Sequence, residues 1–244
     1  MKYIIAVLAT VSCKPCASRK YDYLSLKVSN IKVLENKVMQ CAGLLVSKEL
    51  AVTLAECVGS DASKVKTVEH AKHDSKSNHL VTDPLHDTEY DVSRITKDSE
   101  WNGKAHNVAF LEIKAEQTEA VPADIPTADD YQPESQMVML RYRTTTADRN
   151  TRHEVEPIEY KLVEKEKCSQ AFGRNLLSDD YCLESSKIRD ITLGSPVFFA
   201  LPKDTPKVAG IINDHIETNN SNSLIIIQSI YHSFIKMVFK SPMK

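Results

Sequence analysis

Residues 41–57 read CAGLLVSKELAVTLAEC, a run that opens and closes on a thiol. Two apolar stretches, CAGLLV and LAVTLA, flank the polar SKE. That is the pattern of a strand, a turn and a second strand, with a cysteine at each end. A carboxylate, Glu56, stands beside the second thiol, where the second strand runs out. Its purpose there is the question that the rest of the chain has to answer.

Similar runs recur on both sides. YLSLKV (23–28), NVAFLEI (107–113), SQMVMLRYR (135–143), EYKLVE (159–164), SPVFFAL (195–201), KVAGIIN (207–213) and SLIIIQ (223–228) alternate with polar turns. Many short strands spaced this way predict an all-β barrel or sandwich. Two stretches read as helices. KEKCSQAFG (165–173) is one, and SIYHSFIKMVFK (229–240) is the other, with Ile230, Phe234 and Val238 about four apart on one stripe. Residues 59–106 are mostly polar and loop-rich. They hold His70, His73, His79, His86 and His106, but at spacings that do not match a zinc site. The sequence therefore predicts no metal and no cofactor.

The chain has 244 residues, 31 basic and 33 acidic, and a net charge of −2. Nothing in that balance draws it to nucleic acid or to an anionic membrane. The opening MKYIIAVLATVSCKPCAS reads as a secretory signal peptide over 1–18, leaving a mature domain over 19–244. The apolar stretch within it is too short to span a bilayer. Export makes disulfides the expected state of cysteine. Cys13 and Cys16 fall within the signal, and Cys41, Cys57, Cys168 and Cys182 allow three pairings, of which the short loops favour Cys41–Cys57 and Cys168–Cys182. Asn219, in the sequon Asn219-Asn220-Ser221, is a candidate glycosylation site.

Six segments in order carry a resemblance to the chymotrypsin/trypsin-like serine proteases. CAGLLVSKELAVTLAEC resembles C-G-G-S-L-I…V-L-T-A-A-H-C, and HNVAFLEI resembles N-D-I-A-L-L. DYCLES is similar to M-x-C-A-G, TLGSPVFF to D-S-G-G-P-L-V, VAGIIN to G-I-V-S-W, and SLIIIQSIYHSFIKMV to the final strand and helix. The resemblance implies two six-stranded antiparallel β-barrels with a C-terminal α-helix.

It also answers the question about Glu56, which stands where the family keeps its catalytic histidine. The family's acid falls on Asn107 and its nucleophilic serine on Leu193. The triad needs a base that takes the serine proton and returns it to the leaving group, and the standard description of that chemistry is drawn from this same family. A carboxylate is a weaker base than imidazole near neutral pH, and an isobutyl group has no lone pair with which to attack a carbonyl. The surrounding positions differ too. Ile191 stands where a glycine shapes the oxyanion hole, and Thr192 replaces the aspartate that receives the activated N-terminus. Arg19-Lys20 is a basic pair without the matching apolar N-terminus after it. The base of the specificity pocket maps to Lys187, its walls to Asn213, Asp214, His215 and Ser223, and the first cysteine of its usual disulfide to Arg189. Only 6 glycines occur, well below average usage of about 7%.

The resemblance thus implies a secreted homologue without catalytic residues. Such a protein acts by binding extracellular proteins, among them active proteases or receptors, as a cofactor, decoy or regulator. Its candidate surfaces are 59–106, TTTADRNTRHEVE (144–156) and the loop at Asn219. Two other readings stay open in the sequence. One is a hydrolase with a rebuilt site that uses Glu56, His106 and His215. The other is an unrelated secreted β-domain that binds ligands.

Overall fold

The computed structural model describes residues 30–69, 88–114, 126–132, 135–147, 150–186, 191–200, 207–218, 222–231 and 233–234. Within them, twelve strands close into two antiparallel barrels. The first contains β1 (Asn30–Glu35), β2 (Val38–Leu45), β3 (Leu50–Thr53), β4 (Val65–Glu69), β5 (Thr88–Lys97) and β6 (Ala109–Ile113), closed in the order β1-β2-β3-β6-β5-β4. The second contains β7 (Gln136–Ala147), β8 (Asn150–Val163), β9 (Asp180–Ser185), β10 (Pro196–Phe199), β11 (Val208–Glu217) and β12 (Ser223–Gln228), closed as β10-β11-β12-β9-β8-β7. Closure leaves no open sheet edge in the body of either barrel.

The opening stretch forms as its pattern requires. Leu44 pairs with Val52 and Leu45 with Ala51 across the β2–β3 hairpin, while the polar Ser47-Lys48-Glu49 makes the turn. Alternate residues then face different cores. Leu45 and Ala51 point into the first barrel with Ile31, Val33, Leu111 and Ile113. Leu44, Val52 and Leu54 point outward, but they are buried as well, against Val138, Phe198, Val208 and Ile211 of the second barrel. A strand buried on both faces reads as a continuous apolar run, and CAGLLV is one. Asn36 and Lys37 join β1 to β2 with φ of 53° and 66°, the left-handed pair that a tight hairpin turn needs.

The second barrel has its own core of Met137, Met139, Ile158, Tyr160, Leu183, Val197 and Ile225. Tyr131 stacks on Tyr181 at 3.8 Å between ring centres, and its hydroxyl donates to the Ala209 carbonyl. Burial pushes the Tyr131 phenol far above its usual range. The helix α1 (Lys165–Phe172) ends on Gly173 at φ 63°, whose N–H reaches the Ser169 carbonyl, a left-handed glycine cap. Eight residues are too few to hold a helix alone. Cys168 fixes this one to β9 through the Cys168–Cys182 disulfide, over Leu224 and Ile226. The second disulfide is Cys41–Cys57, with Cα atoms 5.9 Å apart. Both are the pairs that loop length favours.

Two segments hold more strand than the sequence pattern showed. Residues 59–106 are not loop throughout: β4 and β5 lie inside the segment and complete the first barrel. Their alternation is masked by charged residues on the solvent face, such as Lys66, Glu89 and Asp91, which pair across the strands. The candidate surface TTTADRNTRHEVE (144–156) is strand over 144–147 and 150–156. Its backbone continues β7 and β8 as a two-stranded ribbon in unbroken register, from Gln136↔Lys161 to Ala147↔Asn150. Helical backbone is present at residues 230, 231, 233 and 234, and the remainder of the expected C-terminal helix lies outside the described residues. So do the expected signal segment 1–18, Arg19-Lys20, Lys187, Arg189 and Asn219. Among the described residues no helix is long and apolar enough to cross a membrane.

Candidate functional site

The site lies on the seam between the barrels, where three chain segments meet. Each is positioned by a backbone element. Glu56 sits in a single 3-10 turn, Ala55–Cys57, whose flanking residues Ala55 and Cys57 are buried and point it outward. Asn107 lies two residues before β6, and its backbone N–H donates to the Gln228 side-chain oxygen at 2.7 Å. Gln228 belongs to the second barrel and is fully buried, so this bond fixes Asn107 across the seam.

Leu193 is fixed by its own backbone and by its neighbour. The Ala42 N–H donates to the Leu193 carbonyl at 2.9 Å, and the Gly194 N–H to the Ile212 carbonyl at 2.8 Å. Gly194 has φ of 80°, and a Cβ there would lie 2.2 Å from the Ala42 carbonyl oxygen. Only glycine fits that turn and that close approach. A tight turn therefore runs from Thr192 to Ser195, with Leu193 at its apex.

Glu56, Asn107 and Asn213 form one hydrogen-bonded cluster. The Asn107 amide nitrogen donates to Glu56 Oε1 at 2.8 Å and to Asn213 Oδ1 at 2.8 Å. In return, Asn107 Oδ1 accepts the Glu56 backbone N–H at 3.0 Å. Both protons and the carbonyl oxygen of the buried amide are used, so the group is satisfied. The pairing is coherent. With a carboxylate at 56, an aspartate at 107 would face it as a like charge, whereas an amide donates to it. Leu193 is half-buried and packs against the cores of both the seam and the second barrel. It offers no atom that can attack a carbonyl.

The neighbouring positions are occupied by interactions of their own. Asp214 pairs with Arg174 at 3.2 Å and accepts the His215 N–H at 2.9 Å. Asn213 turns toward Asn107, Ser223 is buried in β12, and His215 is exposed. Positive φ occurs among the described non-glycine residues at Asn36, Lys37 and His106, and Ile191 is not one of them. The structure thus brings Glu56, Asn107 and Asn213 together, with Leu193 nearby. It does not gather Glu56, His106 and His215 into one set. His106 instead lies between Glu100 and Asp179, 3.3 Å from an oxygen of each. Glu100 and His106 share the connection between β5 and β6, and sequence spacing could not place Asp179, just before β9, beside them. It also missed Gln228 and Asn213 as partners of Asn107, since both lie more than 100 positions away.

The family model described as Trypsin matches residues 24–230 of this chain. No curated protein matches. Among solved structures, kallikrein-related peptidase 10 superposes with a TM-score of 0.61 at 13% identity, covering 87% of this chain and 95% of that one. A second structure, kallikrein-related peptidase 10 in complex with Zn2+, superposes with a TM-score of 0.62 at 14% identity over the same shares. At these identities the two structures speak to the fold.

Proposed function

The chain belongs to the trypsin family, and from that premise we propose that it is a secreted, non-catalytic homologue that acts by binding other proteins. The observation that carries this reading is Leu193 at the apex of the glycine-supported turn. The turn is what the family uses to present a nucleophile, and here it presents an isobutyl group. The amide network of Glu56, Asn107 and Asn213 supports the same conclusion, because the Asn107 amide is fully committed within it and it includes no imidazole to relay a proton. The two disulfides are consistent with an oxidising, extracellular setting.

A rigid two-barrel frame with long surface segments suits protein recognition. The partners are extracellular proteins, in particular active proteases or their receptors, which this chain would regulate or divert. The β7–β8 ribbon is the best-placed described surface, since it extends beyond its pairing with β10 and β9.

The test is labelling with a fluorophosphonate that modifies activated serines, run beside a panel of peptide substrates. The expected result is no label and no cleavage at any basic, aromatic or small residue. Labelling of Thr192 or Ser195, or turnover abolished by Glu56→Gln, would establish a rebuilt hydrolase instead. Co-purification of the mature chain from its native fluid then identifies the partner.

A further inference from the structure

We propose that Asn102-Gly103 is a site of covalent self-modification, at which Asn102 closes to a succinimide that solvent water opens to aspartate and isoaspartate. It is the single Asn-Gly pair in the chain, and it lies in the connection between β5 and β6. Ring closure needs room around the attacking backbone nitrogen and a stabilised charge on the side-chain oxygen. The turn at 102–105 supplies both. Asn102, Gly103 and Lys104 are exposed. Gly103 holds φ of 93°, and a Cβ placed on it would meet nothing within 4 Å. Glycine also leaves its own nitrogen uncrowded, since it has no Cβ. Asn102 Oδ1 accepts the Lys104 N–H at 3.1 Å and the Ala105 N–H at 3.0 Å. Two fixed backbone donors on one carbonyl oxygen are the arrangement that stabilises an oxyanion.

The reaction balances with water alone. Hydroxide removes the Gly103 amide proton, and the nitrogen gives its electron pair to Asn102 Cγ. A Cγ–N bond forms while the π pair of the Cγ carbonyl moves onto Oδ1, which the two N–H donors face. When that pair returns, the Cγ–Nδ2 bond breaks, and Nδ2 takes a proton from water and leaves as ammonia. Water then adds to one of the two ring carbonyls. Opening at Cγ gives aspartate in an ordinary main chain. Opening at the main-chain carbonyl gives isoaspartate, whose main chain runs through Cβ and Cγ. Nothing is oxidised or reduced, and the net change is water consumed and ammonia released.

The two products differ in what they do to the fold. Aspartate keeps an acceptor for the Lys104 and Ala105 N–H groups, and its charge strengthens those bonds. Isoaspartate adds a methylene to a loop with tied ends. The Asp98 N–H donates to the Val108 carbonyl at 2.9 Å, and the Glu100 N–H to Asp98 Oδ1 at 2.9 Å. The extra length has to be absorbed between these ties, in a segment that contains His106 at φ 53° and Asn107. The Asn107 N–H makes the bond to Gln228 across the seam. Isoaspartate at 102 therefore loosens the contact between the barrels, and its fraction grows with the age of the molecule.

The experiment incubates the full mature chain at neutral and at mildly alkaline pH and follows every asparagine by peptide mass spectrometry, with electron-transfer fragmentation to separate aspartate from isoaspartate. Asn102 is expected to convert first and to convert faster at the higher pH. It should also convert at least as fast in the folded protein as in the urea-unfolded chain, because only the folded turn holds both N–H donors on Oδ1. Gly103→Ala should slow conversion by about tenfold. The positive φ at 103 strains that variant, so Asn102→Asp is measured as well. It should melt close to wild type, whereas the isolated isoaspartate fraction melts lower. An Asn102 that stays intact, or that converts about tenfold more slowly folded than unfolded, would overturn the proposal. An isoaspartate fraction no less stable than Asn102→Asp would overturn the link to the seam.

Discussion

Asn107→Asp, which puts an acid at the position where the sequence resemblance places the family's, should destabilise the protein. The wild-type amide donates to Glu56 Oε1 and to Asn213 Oδ1, both at 2.8 Å. A carboxylate can donate to neither. Each lost hydrogen bond costs about 1 kcal/mol, and the Asn213 oxygen is left facing an acceptor. The new charge also lies next to Glu56. Glu56 is exposed, so screening holds that repulsion to about 1 kcal/mol, near the aqueous limit for charges about 4 Å apart. The sum is about 2–4 kcal/mol. For a domain of this size it lowers the melting temperature by about 5–15 °C. The deficit should depend on pH in one direction. Crowding raises a carboxylate pKa in the folded variant above its unfolded value, so the penalty is present above the ordinary carboxylate range and fades as the pH falls and the pair takes up a proton. Glu56→Gln should rescue the variant, because a side-chain amide at 56 can donate to the carboxylate introduced at 107. The assay is a double-mutant cycle by urea unfolding at pH 7 and pH 4. An Asn107→Asp protein as stable as wild type, or a deficit that Glu56→Gln does not reduce, would refute the idea that these two positions are matched.

Four further outcomes are expected. Reducing either disulfide should cost about 3 kcal/mol in the chain-entropy model, given sequence separations of 16 and 14, and parallel urea titrations with and without reductant measure it. Gly194→Ala should destabilise the fold or prevent secretion, because its Cβ would meet the Ala42 carbonyl at 2.2 Å, and secreted yield with a melting curve reports it. The hydrogen bond from Lys167 holds the Glu184 carboxyl below its usual range, so this pair stabilises above the ordinary glutamate pKa and the contribution disappears as pH falls through the depressed value. Lys167→Met should flatten that acid limb, by under about 1 kcal/mol for a partly exposed pair. Finally, Glu56→His, Asn107→Asp and Leu193→Ser combined should give little or no peptide cleavage, since Ile191 and Thr192 remain; robust turnover would show that the family's residues at those two positions are dispensable.

How much of this was legible in the sequence depends on the range of the interaction involved. The hairpin 41–57, the helix at 165 and both disulfides rest on contacts within about one hairpin, and local pattern reports them. β4 and β5 escaped because one face of each is charged: Lys66, Glu89, Asp91 and Arg94 carry ion pairs where an apolar run was sought. β7 and β8 ran longer than read because threonines and charged residues serve a two-stranded ribbon as well as a loop, and only register distinguishes them. The candidate site was legible as three positions but not as a structure. Asn107 reads as a lost acid when it is considered alone. Beside Glu56, Asn213 and Gln228 it is the donor at the centre of a closed network that joins the two barrels. Here the amide at 107 satisfies every partner around it. That network fixes the two barrels to each other at the seam, which is the rigidity the proposed binding role calls for.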